Sequence, residues 1–115
     1  MSISLNDAAL AFAKDLIQAG KVKNDQGHWH QHNPGAAQEN AFLNQHELRE
    51  YANWHLGEDK SQSQDTKGRY HFPYGDFQDV HRDGLIAAKE RAAQQGYRDI
   101  ERAADELLQL VEKKF

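Results

Sequence analysis

An apolar stripe near the C-terminus constrains the fold more than any other feature of the sequence. Its members recur at the spacing of one helical face: Ile100, Ala103, Ala104, Leu107 and Val111. Gly96 can end a preceding helical pattern and Asp99 can cap the new helix. Because the link between the two helices is so short, the spacing predicts an antiparallel helical hairpin over about residues 78–113.

The rest of the chain predicts a small, mainly α domain. Helical spacing indicates an N-terminal helix over about 5–19 and another over about 46–56, and a polar stretch at about 58–68 is typical of a flexible loop. The aromatic run at 70–74 favours extended backbone and could pair with the alternating run around Trp29. We therefore expect one domain spanning 1–115 with at most one short β-hairpin, and an α+β fold is the alternative.

Composition excludes several classes of function. The chain has no cysteine, which rules out disulfides, thiolate catalysis and zinc sites built from Cys. No apolar run reaches the roughly 20 residues of a membrane helix, and the first residues lack the pattern of a signal peptide. A net charge of −4 disfavours general nucleic-acid binding, which rewards concentrated positive charge. The expectation is a soluble, cytoplasmic protein without a membrane partner.

The stretch 67–82 combines aromatic rings, histidines and fixed cations. One interpretation is a packing hub from which the C-terminal hairpin starts. A second is a stacking platform for single-stranded nucleic acid, although the carboxylates within the stretch offset its cations. A third is a surface that binds a protein partner. On that interpretation the candidate binding residues are the polar members of the stretch: Arg69, His71, His81 and Arg82.

The run His28-x-His30-x-His32 has the pattern of a metal site. On a strand the three imidazoles share one face, and neutral imidazole suits Zn or Ni. Alternate side chains on a strand lie roughly 6–7 Å apart, so three ligands from one strand are strained and a further donor is needed. The alternative is an exposed edge on which Trp29 packs inward and the histidines face water.

Catalysis has weaker support in the sequence. His55, His71 and His81 could each supply an acid–base group near neutral pH, and Asp79 and Asp83 lie close to His81 along the chain. No phosphate-binding glycine loop, zinc-protease helix, calcium loop or nucleophile elbow is present. We predict no catalytic residue, and an enzyme centred on His81 is kept as an alternative.

Several short motifs resemble a family of small uncharacterised bacterial proteins. The motifs are Trp54-His55-Leu56-Gly57, Arg69-Tyr70-x-Phe72-Pro73, Gly75-Asp76-Phe77, Val80-His81-Arg82 and an Ala-rich helix followed by a Leu-rich one. More loosely, the same skeleton resembles a module found beside or fused to tailed-phage prohead proteases. The resemblance covers about residues 28–111 and implies a shared fold and a phage-related setting. It implies no protease activity, because this chain has no protease nucleophile.

Three hypotheses of function follow. The first is a non-catalytic protein-binding or accessory module of phage origin that acts through the surface around 69–82. The second is a metal-binding protein that uses His28, His30 and His32. The third is an enzyme that uses a histidine as acid or base.

Overall fold

The structure, a computed structural model, describes residues 3–23, 35–63 and 65–114. Along the chain the elements follow in the order strand, helix, strand, two helices, three strands and two helices, with a 3-10 turn between the third and fourth strands. The strands are β1 (Ile3–Leu5), β2 (Val22–Lys23), β3 (His55–Asp59), β4 (Tyr70–Pro73) and β5 (Val80–His81). The helices are α1 (Asp7–Gln18), α2 (Ala36–Leu43), α3 (Leu48–Ala52), α4 (Arg82–Gln95) and α5 (Arg98–Lys114), and a 3-10 turn covers Lys67–Arg69.

The strand β3 is the centre of a three-stranded antiparallel sheet. It pairs with β1 on one side, where Ser4 lies opposite Glu58, and with β4 on the other, where His71 lies opposite Gly57. A Cβ built on Gly57 would lie 2.7 Å from Cδ2 of Phe72. A glycine at this position therefore lets the side chains of β4 and α5 pack directly over the sheet. A separate parallel pair joins β2 to β5.

Helix α1 is tied to this sheet by one buried side chain. Asn6 caps the helix, its Oδ1 accepting from the backbone N–H of Ala9 at 3.4 Å. Its Nδ2 donates to the carbonyls of Ala52 and His55 at 3.0 and 3.2 Å. One amide therefore satisfies the start of α1 and two carbonyls of the α3–β3 connection. The face of α1 that enters the core carries Ala9, Ala13 and Ile17.

The two C-terminal helices contribute the largest share of the core. Gly96 ends α4 in the left-handed conformation, with φ of +81°, which glycine adopts without steric cost. Cross-links between the helices run from Lys89 to Asp105 at 2.8 Å and from Arg82 to Glu112 at 3.7 Å. Every residue of the apolar stripe on α5 is buried, together with Leu108.

The expectation of a mainly helical domain is confirmed, and the fold also contains a small sheet. The expectation of at most one short β-hairpin is wrong, because the described residues form one three-stranded sheet and one two-stranded pair. The helix expected over 46–56 ends at Ala52, and its last two residues, His55 and Leu56, belong to β3. Pairing on both sides of β3 supplies backbone hydrogen bonds that outweigh the local helical spacing.

The strand 70–73 pairs with β3, and its expected pairing with the run around Trp29 stays a prediction, because that run lies outside the described residues. The polar stretch 58–68 is shorter as a loop than expected, since it begins with the end of β3 and closes with the 3-10 turn. Of the helices in the described ranges, none combines the length and apolar character needed to cross a bilayer.

Candidate functional site

The four aromatic rings of the stretch 67–82 divide into two buried and two half-buried rings. Phe72 and Tyr74 are 5% and 0% exposed, and the Tyr74 hydroxyl donates to the carbonyl of Asn53 at 2.6 Å. Tyr70 and Phe77 remain partly exposed. The stretch therefore serves the core through two rings and leaves two rings that a partner could reach.

The polar residues predicted to bind a partner make contacts within the protein. Arg69 donates to Glu58 at 3.4 Å and to the carbonyl of Gln62 at 2.9 Å, which fastens the 3-10 turn to β3 and its loop. Arg82 faces Glu112 on α5. His71 is half-buried on β4. The contacts of the two arginines point to different parts of the fold.

His81, the fourth predicted binding residue, pairs with Asp76. Its Nε2 lies 2.9 Å from Asp76 Oδ2, and the imidazole is buried with 3% of its surface exposed. Asp76 Oδ1 accepts from the backbone N–H groups of Gln78 and Asp79 at 3.0 and 2.8 Å. Burial by itself would raise the pKa of Asp76, but these hydrogen bonds outweigh it and hold the pKa below its usual value. The pair closes the turn that leads into α4.

A histidine–carboxylate pair can transfer protons, but a catalytic pair also needs a cavity for its substrate. His81 is only 3% exposed, so it presents almost no surface to a substrate. The geometry of this pair therefore indicates a structural link between the 75–79 turn and α4.

His55 occupies a second buried position, on β3 beneath α3. Its Nδ1 donates to the carbonyl of Tyr51 at 2.9 Å, and the two rings lie 4.4 Å apart. Burial lowers the pKa of His55 to about 4; the bond to Tyr51 opposes this shift and the nearby His71 adds to it. The imidazole is therefore neutral at pH 7 with its proton on Nδ1.

An open groove lies between α1, α2, α3 and the 75–79 turn. We call it the aromatic groove. It has a volume of about 240 Å³ and is lined by Phe12, Phe42, His46, Glu50, Asn53, Trp54 and Phe77. Three of its phenylalanines are partly exposed, whereas Trp54 forms the buried floor with 5% exposure. Partly exposed rings from separate segments thus converge on one concave surface.

The rings of the aromatic groove support one another. Phe42 stacks on Phe77 with centroids 4.5 Å apart and on the imidazole of His46 at 4.2 Å. Trp54 meets Phe12 and Phe77 edge to face, at 5.4 and 5.9 Å. Offset-stacked and edge-to-face pairs are the favourable arrangements for aromatic rings. The walls of the groove are therefore held in place before any partner binds.

The backbone at Phe77 is strained. Its φ of +70° lies in the left-handed region, which costs a bulky residue on the order of 1–3 kcal/mol. Two features hold it there. Gly75 is pressed so closely on Trp54 that a Cβ would lie 2.6 Å from the indole, and Asp76 bonds the two N–H groups that follow Phe77. The turn thus presents the Phe77 ring to the groove.

The segments that wall the aromatic groove are acidic. Residues 7–18, 36–54 and 75–79 together carry seven Asp/Glu and two Lys/Arg, a net charge of −5, against −4 for the whole chain. The remaining residues therefore carry a net charge of +1. Glu50 lines the groove itself, and its Oε2 accepts from His46 Nδ1 at 3.2 Å and from the N–H of Glu47 at 2.9 Å.

Sequence reasoning did not find this groove. Phe77 belongs to the aromatic stretch 67–82, whereas Phe12 shares a helical face with Ala9 and Ala13, which is typical of a core position. Phe42 carried the available signal, because it is a large ring in a helix that has almost no apolar face. Because its helix has almost no apolar face, such a ring packs against side chains of other segments.

The histidines of the predicted metal site, His28, His30 and His32, lie outside the described residues, so that site stays a prediction. Within 3–23, 35–63 and 65–114, no three His, Asp or Glu side chains come together to hold a metal ion. No protein-family model, curated protein or solved structure matches the chain.

Proposed function

We propose that this chain is a small, non-catalytic protein-binding module that holds its partner in the aromatic groove. The observation that carries the proposal is the convergence of three partly exposed phenylalanines on one concave surface. Exposed apolar surface of this kind is costly in water and marks interaction sites. Preformed aromatic pockets are also where binding energy concentrates in protein interfaces.

The polar residues favour binding over catalysis. His81 is buried against Asp76, His55 is neutral and buried, and the arginines near 69–82 are engaged in ion pairs. The proposed contact surface therefore consists of one ring of the stretch 69–82, Phe77, and three rings outside that stretch. It does not consist of the polar residues of the stretch. The acidic surroundings of the groove also favour a protein partner over a nucleic acid.

The setting of the module is a further part of the proposal. It rests on the resemblance of the Phe-Pro and Val-His-Arg motifs to a module associated with tailed-phage prohead proteases. A phage assembly protein is accordingly the first partner to test.

Site-specific photocrosslinking tests the proposal. A benzophenone amino acid replaces Phe42 in the groove or, as the matched control, Glu90 on the exposed face of α4. After irradiation in cells that carry the gene, the Phe42 position should give one defined protein adduct that the Glu90 position does not. The purified partner should then bind the wild type, and Phe77→Ser should weaken it at least tenfold. Equal adducts from both positions, or none from Phe42, would contradict the proposal.

A further inference from the structure

The shape and charge of the aromatic groove define the chemistry of its occupant, given the proposed function. We infer that the groove binds a positively charged protein segment that inserts one large apolar side chain between Lys or Arg residues. The inference goes beyond a general protein-binding role because it fixes both the anchor residue and the sign of its flanks.

The volume of the groove sets the anchor. A cavity of roughly 150 Å³ lined by apolar side chains is enough to hold a benzene molecule. The aromatic groove, at about 240 Å³, accommodates one side chain of the size of Leu, Met or Phe, with Trp54 as its floor. A small residue such as Gly or Ala would leave it mostly empty.

The charge of the segments that wall the groove determines the charge of the residues that flank the anchor. The segments that form the groove concentrate a net charge of −5, while the remainder of the chain is close to neutral. At the rim, the carboxylate of Glu50 is 48% exposed and lies beside the anchor position. Anionic groups of a partner are repelled by such a surface, whereas cationic groups are attracted and steered toward it.

The strain at Phe77 bears on the anchor position, not on the charge of the flanks. A glycine would take its φ of +70° without cost, yet the position holds a ring that stacks on Phe42 and lines the groove. Backbone strain of this kind clusters at binding and catalytic sites. The buried Phe72 has a similar φ of +63°, so strain alone does not mark the groove, but at Phe77 the strained backbone places one of its aromatic walls.

Peptide titrations followed by NMR test the inference on the full chain. The probes are acetyl-Lys-Arg-Leu-Arg-Lys-amide, the same peptide with Gly in place of Leu, and acetyl-Glu-Asp-Leu-Asp-Glu-amide, each up to millimolar concentration. The basic Leu peptide should shift the amide signals of Phe42, Phe77 and Trp54. It should bind at least tenfold more tightly than either other probe, and added salt should weaken it.

Two variants locate the charge that matters. Glu50→Gln, at the rim of the groove, should weaken the basic Leu peptide about threefold to tenfold. Glu90→Gln, which removes another exposed carboxylate on α4, should leave its affinity unchanged. Both are surface changes, so the comparison holds even where Phe77→Ser fails to fold.

The outcomes separate this inference from the proposed function. If the acidic Leu peptide binds the groove as well as the basic one, the inference is overturned while a protein-binding groove stands. Groove signals that shift with protein concentration alone would make a second copy of the chain the occupant and overturn it too. Peptide shifts confined to other surfaces would also overturn it, and a Phe42 crosslinker without any adduct would remove the proposed function itself.

Discussion

Acid is expected to destabilise this protein through one residue, His55. The imidazole is 2% exposed and its pKa is lowered from 6.5 to about 4 by burial. In the unfolded chain it regains an ordinary pKa near 6.5. Between these two values the unfolded state binds more protons than the folded state, so the free energy of unfolding falls as the pH falls.

The size of the effect follows from the pKa difference. A shift of about 2.5 pKa units, at about 1.4 kcal/mol for each, corresponds to roughly 3 kcal/mol of stability lost between pH 6.5 and pH 4. A domain of this size has a total stability of about 5–15 kcal/mol, so protonation of this one imidazole removes a large share of it. Above about pH 7 the imidazole is neutral in both the folded and the unfolded state, so none of this stability is lost.

The variant His55→Asn isolates the effect. Its amide can replace the Nδ1–H that donates to the Tyr51 carbonyl, and it does not titrate. Urea unfolding of the wild type and the variant at pH 7, 6, 5 and 4 gives the free-energy difference at each pH. We expect the wild type to lose about 3 kcal/mol relative to His55→Asn over this range. The pKa of Asp76 lies below 3.8, so the loss of its contribution falls mainly below the window.

His46→Asn is the matched control, since it removes an exposed imidazole from the same half of the chain. The control should retain the full acid-dependent loss. Parallel curves for the wild type and His55→Asn would refute the assignment. So would an NMR titration in which the His55 ring protonates with a midpoint near 6.5.

Three further changes test the packing around the site. Gly75→Ala should cost about 3 kcal/mol or more in urea unfolding, because its Cβ would lie 2.6 Å from Trp54. Gly96→Ala, at a left-handed glycine in open space, should cost only about 1–2 kcal/mol. Equal losses from the two variants would contradict this account. Asn6→Ala should cost about 3 kcal/mol, since it removes a helix cap and two bonds to buried carbonyls, and a loss below about 1 kcal/mol would refute it. Asp76→Ala should loosen the 75–79 turn and raise amide exchange there, whereas unchanged exchange would show that its hydrogen bonds are dispensable.

The limits of sequence reasoning are clearest at β3. Tyr51, His55 and Leu56 recur at helical spacing, which predicts a continuous helix through them. The structure ends the helix at Ala52 because the following residues find strand partners on both sides. One of those partners, Ser4, lies far away along the chain opposite Glu58. A local pattern carries no information about a hydrogen-bonded partner at that distance.

The candidate site could be predicted only in part from the sequence, for the same reason. The stretch 67–82 drew attention to Phe77 and His81, and the carboxylates expected near His81 were Asp79 and Asp83. The structure joins His81 to Asp76 at 2.9 Å. The other rings of the aromatic groove, Phe12, Phe42 and Trp54, come from three different segments. Their convergence depends on how α1, α2 and α3 are placed, and no spacing within one element predicts that placement.

By itself, the sequence determined the elements whose stability is local or periodic. The α5 stripe and the glycine that ends α4 follow from side-chain spacing and backbone preference, and both appear in the structure. Tertiary structure alone decided the order of strands in the sheet, the strained turn at Phe77 and the aromatic groove it completes. These features arise from contacts between residues distant in sequence, and their free energy exists only once the chain has closed the loops between them.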